Sequence, residues 1–206
     1  EADDAIAYIA KSVIHDGEKV IMSTDKDFLQ LVSDDIKVWS PTKKKLYDRE
    51  AVLEEYCVTA ENFIMAKIFE GDKSDNINGV KGIATKTLVK NIPTLGVENN
   101  NYSLQEIYKY AHKHKDDDGN FFVKILQNKE LLERNYKLMQ LEDVNISAST
   151  KTKLIDVIRG PIRRLVKFKF EAMFMEDRLF QNLPNVSSWL AQTFTTMDKY
   201  AEQTDG

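Results

Sequence analysis

Over the first fourteen residues, apolar side chains fall at Ile6, Ile9, Val13 and Ile14, roughly one face of a helix, and His15-Asp16-Gly17 ends the pattern. Lys19-Val20-Ile21-Met22-Ser23 follows as an apolar run of strand length. Thr24-Asp25 then reads as a turn and helix N-cap leading into Phe28, Leu29 and Leu31. A short side-chain oxygen there takes up a backbone N–H that the first helical turn leaves unpaired. Residues 36–40 alternate apolar and polar as a half-buried strand does, and 45–47 is a short third candidate. Strands alternating with helices predict a mixed α/β sheet.

From Glu50 onward the strand signal stops and the apolar period becomes helical. Helices are predicted over residues 50–56, 61–70, 85–91, 103–114, 121–141, 149–159, 165–183 and 187–202, with loops at 96–101 and 116–120. Phe168, Phe170, Met173, Phe174, Met175 and Phe180 recur near helical spacing and read as core. The expected organisation is an α/β fold, incomplete at its N-terminus, over residues 1–60, followed by a mainly α-helical domain over 61–206.

Composition sharpens this picture without deciding it. A chain of 206 residues has room for a substantial core, and no apolar run reaches the 18 residues of a membrane-spanning helix. The single Cys57 cannot form an internal disulfide and suggests a reducing, cytoplasmic compartment. A net charge of −4 is unlike that of a generic nucleic-acid binder, whose phosphate-facing surface is basic. The distribution matters more than the sum. Acids crowd the first half in tight groups, while bases gather at Lys43-Lys44-Lys45, at Lys81, Lys86 and Lys90, and from Arg159 to Lys169. The basic run reads either as a solvated face or as a contact with a duplex backbone. The first residue, Glu1, falls inside a helix start, so the chain is expected to be part of a longer protein.

Three acidic clusters carry the chemistry. Glu1-Ala2-Asp3-Asp4 opens a helix, where Glu1 and Asp4 share a face; acids at a helix N-terminus are also the ordinary complement to its dipole. Asp25 and Asp27 stand just past a strand's C-terminal end, where α/β sheets place ligands, although capping alone would use Asp25. Asp72 and Asp75 lie three apart after the helix at 61–70, in what could equally be a solvated loop. Together the three clusters supply enough oxygen ligands for two hard divalent cations. Two such ions roughly 3.5–4 Å apart can activate a water and stabilise the leaving oxygen of a phosphodiester.

Directly downstream, Gly79-Val80-Lys81-Gly82-Ile83-Ala84-Thr85-Lys86 places two glycines three apart before a helix. That arrangement turns the backbone sharply and presents N–H groups to a phosphate. Here the segment from Glu1 to about Ile92 resembles the 5′-3′ exonuclease and flap-endonuclease family, in which motifs like EADD, STDKD and GDKSDN followed by GVKGIATKT occur in this order. Within the family, the Trp39-Ser40-Pro41 stretch and the long helical tail look most like the T-even bacteriophage ribonuclease H branch.

The resemblance implies a PIN-like nuclease sheet and a metal-dependent 5′ nuclease that removes RNA primers in DNA replication. By the same resemblance, Glu1, Asp3 and Asp4 serve a first Mg²⁺ or Mn²⁺, and Asp25, Asp27, Asp72 and Asp75 a second. Gly79, Val80, Lys81, Gly82, Ile83, Thr85 and Lys86 match a helix–hairpin–helix that grips duplex DNA, sometimes with a bound K⁺. The implied substrates are branched or nicked duplex DNA and RNA–DNA hybrids with a 5′ end. Implied partners are a single-strand-binding protein or sliding clamp, met by a monomer in the bacterial cytoplasm. The family's first strand, its acid and its basic arch do not precede Glu1, so this piece alone is expected to have little nuclease activity. Two other readings compete: a haloacid-dehalogenase-like phosphatase, from Asp25-x-Asp27 and the Gly71–Asp75 motif, and a non-catalytic DNA-structure-binding module.

Overall fold

The computed structural model describes residues 2–116, 120–162 and 164–203; Glu1, Arg163 and part of the predicted 116–120 loop therefore lie outside the described residues. The chain divides into two compact units, residues 1–151 and 152–206.

In the first unit, α1 (Ala2–Tyr8) runs straight into a π-helical turn over Ile9–Val13, which closes with Ile14 N–H donating to Ile9 O at 3.0 Å. The wider turn rotates the stretch relative to a regular helix. Ala7, Ala10 and Val13 are buried; of the predicted face, Val13 is buried as expected, whereas Ile6, Ile9 and Ile14 are only half-buried. A three-stranded sheet follows in the order β1-β2-β3. β1 (Lys19–Met22) runs parallel to β2 (Ile36–Ser40), which pairs antiparallel with β3 (Lys45–Tyr47). β2 buries Ile36, Val38 and Ser40 in strict alternation, whereas β1 buries only Ile21 and leaves Val20 and Met22 exposed. The crossover between them carries a 3₁₀ helix over Lys26–Leu31, which buries Phe28, Leu29 and Leu31.

Beyond the sheet, Asp48 caps α2 (Arg49–Tyr56) by accepting from Ala51 N–H at 2.9 Å. α3 (Phe63–Glu70) is the centre of the unit. Phe63, Ile64, Met65, Ala66, Ile68 and Phe69 are all buried, the pattern of a helix surrounded by protein. Its two polar exceptions, Lys67 and Glu70, lie three apart and share one face. Just after α3 the chain forms a small antiparallel ladder, β4 (Gly71–Asp72) with β5 (Ile77–Asn78), where the sequence shows no strand signal. Two-residue strands are too short to show any period.

α4 (Thr85–Asn91) and α5 (Leu104–Lys113) follow, α5 with a capping box between Ser103 and Glu106. Buried Asn62 holds the loop between them. Its amide donates to Leu95 O (3.1 Å) and Asn100 O (2.7 Å), and its oxygen accepts from Tyr102 N–H (2.8 Å). The helix predicted over 121–141 is two helices, α6 (Phe121–Gln127) and α7 (Lys129–Met139). At the break the Asn128 side chain donates to Lys124 O at 2.8 Å, and Asn128 N–H is shared between Lys124 O and Ile125 O at 3.1 Å each. α7 then packs against α3.

The second unit takes in the remainder of α8 (Ala148–Arg159), then α9 (Lys167–Glu176) and α10 (Val186–Gln203). The helix predicted over 165–183 stops at Glu176, because Arg178 turns left-handed (φ 56°). Phe170 stacks near Phe174, Trp189 and Phe194, with Phe174 and Leu190 buried. Phe168, Met173 and Met175 are exposed instead of buried, since α9 is apolar around most of its circumference and only one stripe meets α10. The side chain of Phe180 lies outside the described residues.

Candidate metal centre

The parallel ladder between β1 and β2 extends one step further, with Ser23 N–H donating to Trp39 O at 3.0 Å, and Asp25 emerges just past it. Asp25 caps the 3₁₀ helix: its Oδ1 accepts from Asp27 N–H at 2.8 Å, while its own N–H donates to Ser23 Oγ at 3.0 Å. The capping reading of Asp25 is thus correct as far as it goes. Fixing Asp25 at the solvent edge turns Asp27, in the first turn, toward the protein.

There Asp27 meets the second acidic pair. β4 carries Asp72, and the turn to β5, with Asn76 left-handed at φ 57°, carries Asp75. Asp72 is held by its neighbour Ser74, which donates to Oδ1 through its N–H (2.8 Å) and its hydroxyl. Carboxylate oxygens of Asp27, Asp72 and Asp75 all lie within 4.8 Å of one another. Asp25 and Asp72 line an open cleft of about 610 Å³, together with Tyr56, Lys67, Glu70 and Thr85.

Lys67 is the group the sequence reading missed. Its ammonium lies 2.5 Å from Asp27 Oδ1 and 2.7 Å from Asp72 Oδ2, with all three side chains less than one-fifth exposed. The available signal was a lone lysine in the apolar run FIMAKIFE. Burial pushes the Asp27 carboxyl above its usual range, although Lys67 pulls the other way. The Lys67 hydrogen bond, aided by Ser74, holds Asp72 well below that range. For Lys67 itself burial opposes the charge, but the two carboxylates outweigh it and raise its pKa. One ammonium cannot neutralise three carboxylates, so the cluster keeps an excess of negative charge. Hard oxygen donors, close set and under-neutralised, fit a divalent cation such as Mg²⁺ or Mn²⁺.

Asp3 and Asp4 sit half-buried on α1. Among the described residues, neither joins a carboxylate group as tight as that of Asp27, Asp72 and Asp75. Glu1 lies outside the described residues.

The glycine turn begins where β5 ends. Gly71 (φ 77°) and Gly79 cross so closely that a Cβ on Gly71 would lie 2.3 Å from Gly79 N, and one on Gly79 2.3 Å from Glu70 O. Val80 N–H donates to Phe69 O (2.8 Å) and Ile83 N–H to Val80 O (3.0 Å), and both of these side chains are buried. Any contact Val80 or Ile83 makes with a ligand therefore runs through neighbouring backbone. Gly82, left-handed at φ 84°, stands exposed beside Lys81, with Lys86 exposed one turn on. The Lys124 ammonium of α6 lies 3.6 Å from the position a Cβ on Gly82 would take, a basic neighbour that sequence distance concealed. Glu70 accepts from the Thr85 hydroxyl and N–H and so closes the start of α4 onto the cleft.

Residues 1–57 match the family model described as 5′-3′ exonuclease, N-terminal resolvase-like domain. A 5′-3′ exonuclease of Aquifex aeolicus is 32% identical over 181 residues, covering 87% of this chain and 57% of that protein. Flap endonuclease Xni of Pseudoalteromonas translucida is 32% identical over 155 residues, covering 73% of this chain and 56% of that protein. This chain thus spans little more than half the length of either relative. Among solved structures, the T5 5′-exonuclease with divalent zinc ions bound superposes with a TM-score of 0.59 at 28% identity, covering 77% of this chain and 54% of that one. A complex of the bacteriophage T5 flap endonuclease with DNA and metal ions gives the same TM-score, 0.59, at 27% identity and the same coverage.

Proposed function

We propose that this chain, a member of the 5′-3′ exonuclease and flap-endonuclease family, supplies a divalent-metal site and the duplex grip of a 5′ nuclease that hydrolyses phosphodiester bonds near a 5′ end. The observation that carries the reading is the convergence of Asp27, Asp72 and Asp75, from two separate segments, beside a cleft lined by Asp25, Asp72 and Thr85. In it, residues 1–60 belong to the α/β nuclease domain and 61–206 form the helical DNA-binding domain, with the helix–hairpin–helix at about 70–92.

Asp27, Asp72 and Asp75 hold one Mg²⁺ or Mn²⁺, with Asp25 at the rim, and Glu1, Asp3 and Asp4 contribute to a second. Bound metal supplies a more acidic water and stabilisation of the leaving oxygen. The protein's own part is electrostatic and positional. Lys67 tempers the carboxylate repulsion that would otherwise splay the cluster. Gly79 to Lys86, with Lys124 beside Gly82, hold the duplex by its phosphates and carry no base readout. A K⁺ at this turn, RNA–DNA hybrids as substrates and a replication partner on the helical domain belong to the same proposal.

The test is Mg²⁺-dependent cleavage of a 5′-flap duplex by the full-length natural protein and its Asp72→Asn variant. Loss of a ligand is expected to slow cleavage by more than about 100-fold, beyond the 10–100-fold typical of groups that only support a ligand. A small phosphomonoester should not be hydrolysed by either. Cleavage that is unaffected by Asp72→Asn, or that persists in chelator, contradicts the reading.

A further inference from the structure

Asn135 lies on α7 and is completely buried. Its amide nitrogen donates twice, to Ile68 O and to Asn78 O, each at 2.9 Å. Ile68 belongs to the last turn of α3, where backbone carbonyls have no helical partner. Asn78 ends β5, closing the ladder that bears Asp72 and Asp75, and immediately precedes Gly79. One amide therefore joins three things: the helix that presents Lys67, the hairpin that presents two carboxylates, and the entry to the glycine turn. The surrounding backbone has no slack of its own. Gly71 and Gly79 cross at a distance that admits no Cβ, and Val80 N–H is committed to Phe69 O.

The other end of the same side chain argues that the position is kept for this purpose. Asn135 Oδ1 is buried and meets no hydrogen-bond donor among the described residues. An unsatisfied buried acceptor is destabilising, a cost that a leucine at this position would avoid. The neighbouring buried Asn62, by contrast, satisfies both ends of its amide.

We infer that Asn135 is a positioning residue: it fixes the Asp72–Asp75 hairpin and the Gly79 turn to α3 as one rigid piece, so that metal binding and duplex binding share a single tether. This rests on the proposed metal site, but it touches neither metal nor DNA directly. The two ideas can fail separately.

The experiment compares the full chain with Asn135→Leu, which keeps the branched shape and removes both donors, and with Asn135→Ser, which keeps one shorter donor. Three quantities are read: hydrogen exchange at residues 71–80 without metal, Mn²⁺ affinity, and affinity for a 5′-flap duplex in Ca²⁺. Asn135→Leu is expected to speed exchange at residues 71–80 by at least about 10-fold while the amides of α5 are unchanged. Mn²⁺ binding should weaken by about 10-fold or more, the scale seen when support for a ligand is lost, with duplex affinity falling alongside. Asn135→Ser should lie between, and it carries the comparison if the leucine variant fails to fold. Unchanged Mn²⁺ affinity, or exchange that rises equally throughout the core, overturns the inference. Failure of the unsubstituted protein to bind Mn²⁺ contradicts the proposed metal site instead, and exchange confined to residues 71–80 then decides the tether alone.

Discussion

Gly79→Ala is expected to destabilise the protein by about 3 kcal/mol or more, near the top of the range for single substitutions. The added Cβ would lie 2.3 Å from the carbonyl carbon and oxygen of Glu70 and from Phe69 O. All are backbone atoms in the last turn of α3, so no side chain can swing aside to make room. Gly17→Ala is the control. Gly17 is left-handed at φ 77°, but nothing lies within 4 Å of its added Cβ. That change should cost only about 1 kcal/mol, from backbone conformation alone. Urea denaturation of the two variants separates steric from conformational demand. Equal, mild losses would show that α3 and the turn can part without consequence.

Lys67→Met should reshape the dependence of stability on pH in the metal-free protein. Removing one partner of a buried ion pair costs about 3–5 kcal/mol; because these side chains keep some contact with water, about 2–3 kcal/mol is expected near neutral pH. The sign follows from the shifts. Asp72 is held below its unfolded pKa by Lys67 and Ser74, so its contribution is present above the ordinary carboxylate range and is lost as pH falls through the folded value. Asp27 is raised by burial, so ionising it removes stability as pH rises through its folded pKa. Lys67 is raised, burial being outweighed by its two carboxylates, and its contribution is lost only above the ordinary lysine range. The unsubstituted protein should therefore hold a plateau between the two ranges. Lys67→Met should instead lose stability as pH rises through the carboxylate range, and Mn²⁺ should restore it. An unaltered pH profile would mean that the ammonium is not what holds Asp27 and Asp72 together.

The acidic groups were visible in the sequence because their chemistry is local. Asp25 and Asp27 follow a strand, Asp72 and Asp75 follow a helix, and each pair stands out by spacing. What spacing could not reveal was convergence, which depends on α3 packing against the 3₁₀ helix that carries Asp27 and leading directly into residue 72. Lys67 and Asn135 were hidden because their partners lie elsewhere in the chain: Lys67 sits in the apolar run of α3, and Asn135 is one polar residue among many in α7. The small β4–β5 ladder is set by Gly71, Gly79 and Asn135, none of which produces a periodic signal. The break at Asn128 escaped a pattern that weighs apolar positions, because apolar residues continue at helical spacing on both sides of it. α1 was legible as a helix, but only Val13 of its predicted face is buried, because the small Ala7 and Ala10 take the closest positions against the core.

The most direct test of the account is a Mn²⁺ titration of the chain, followed by electron paramagnetic resonance, beside Asp27→Asn, Asp72→Asn and Asp75→Asn. Saturable binding is expected, weakened by at least about 10-fold by each substitution, because the oxygens of all three carboxylates lie within 4.8 Å of one another. Binding of equal strength in all four proteins, or none in the unsubstituted chain, would contradict it.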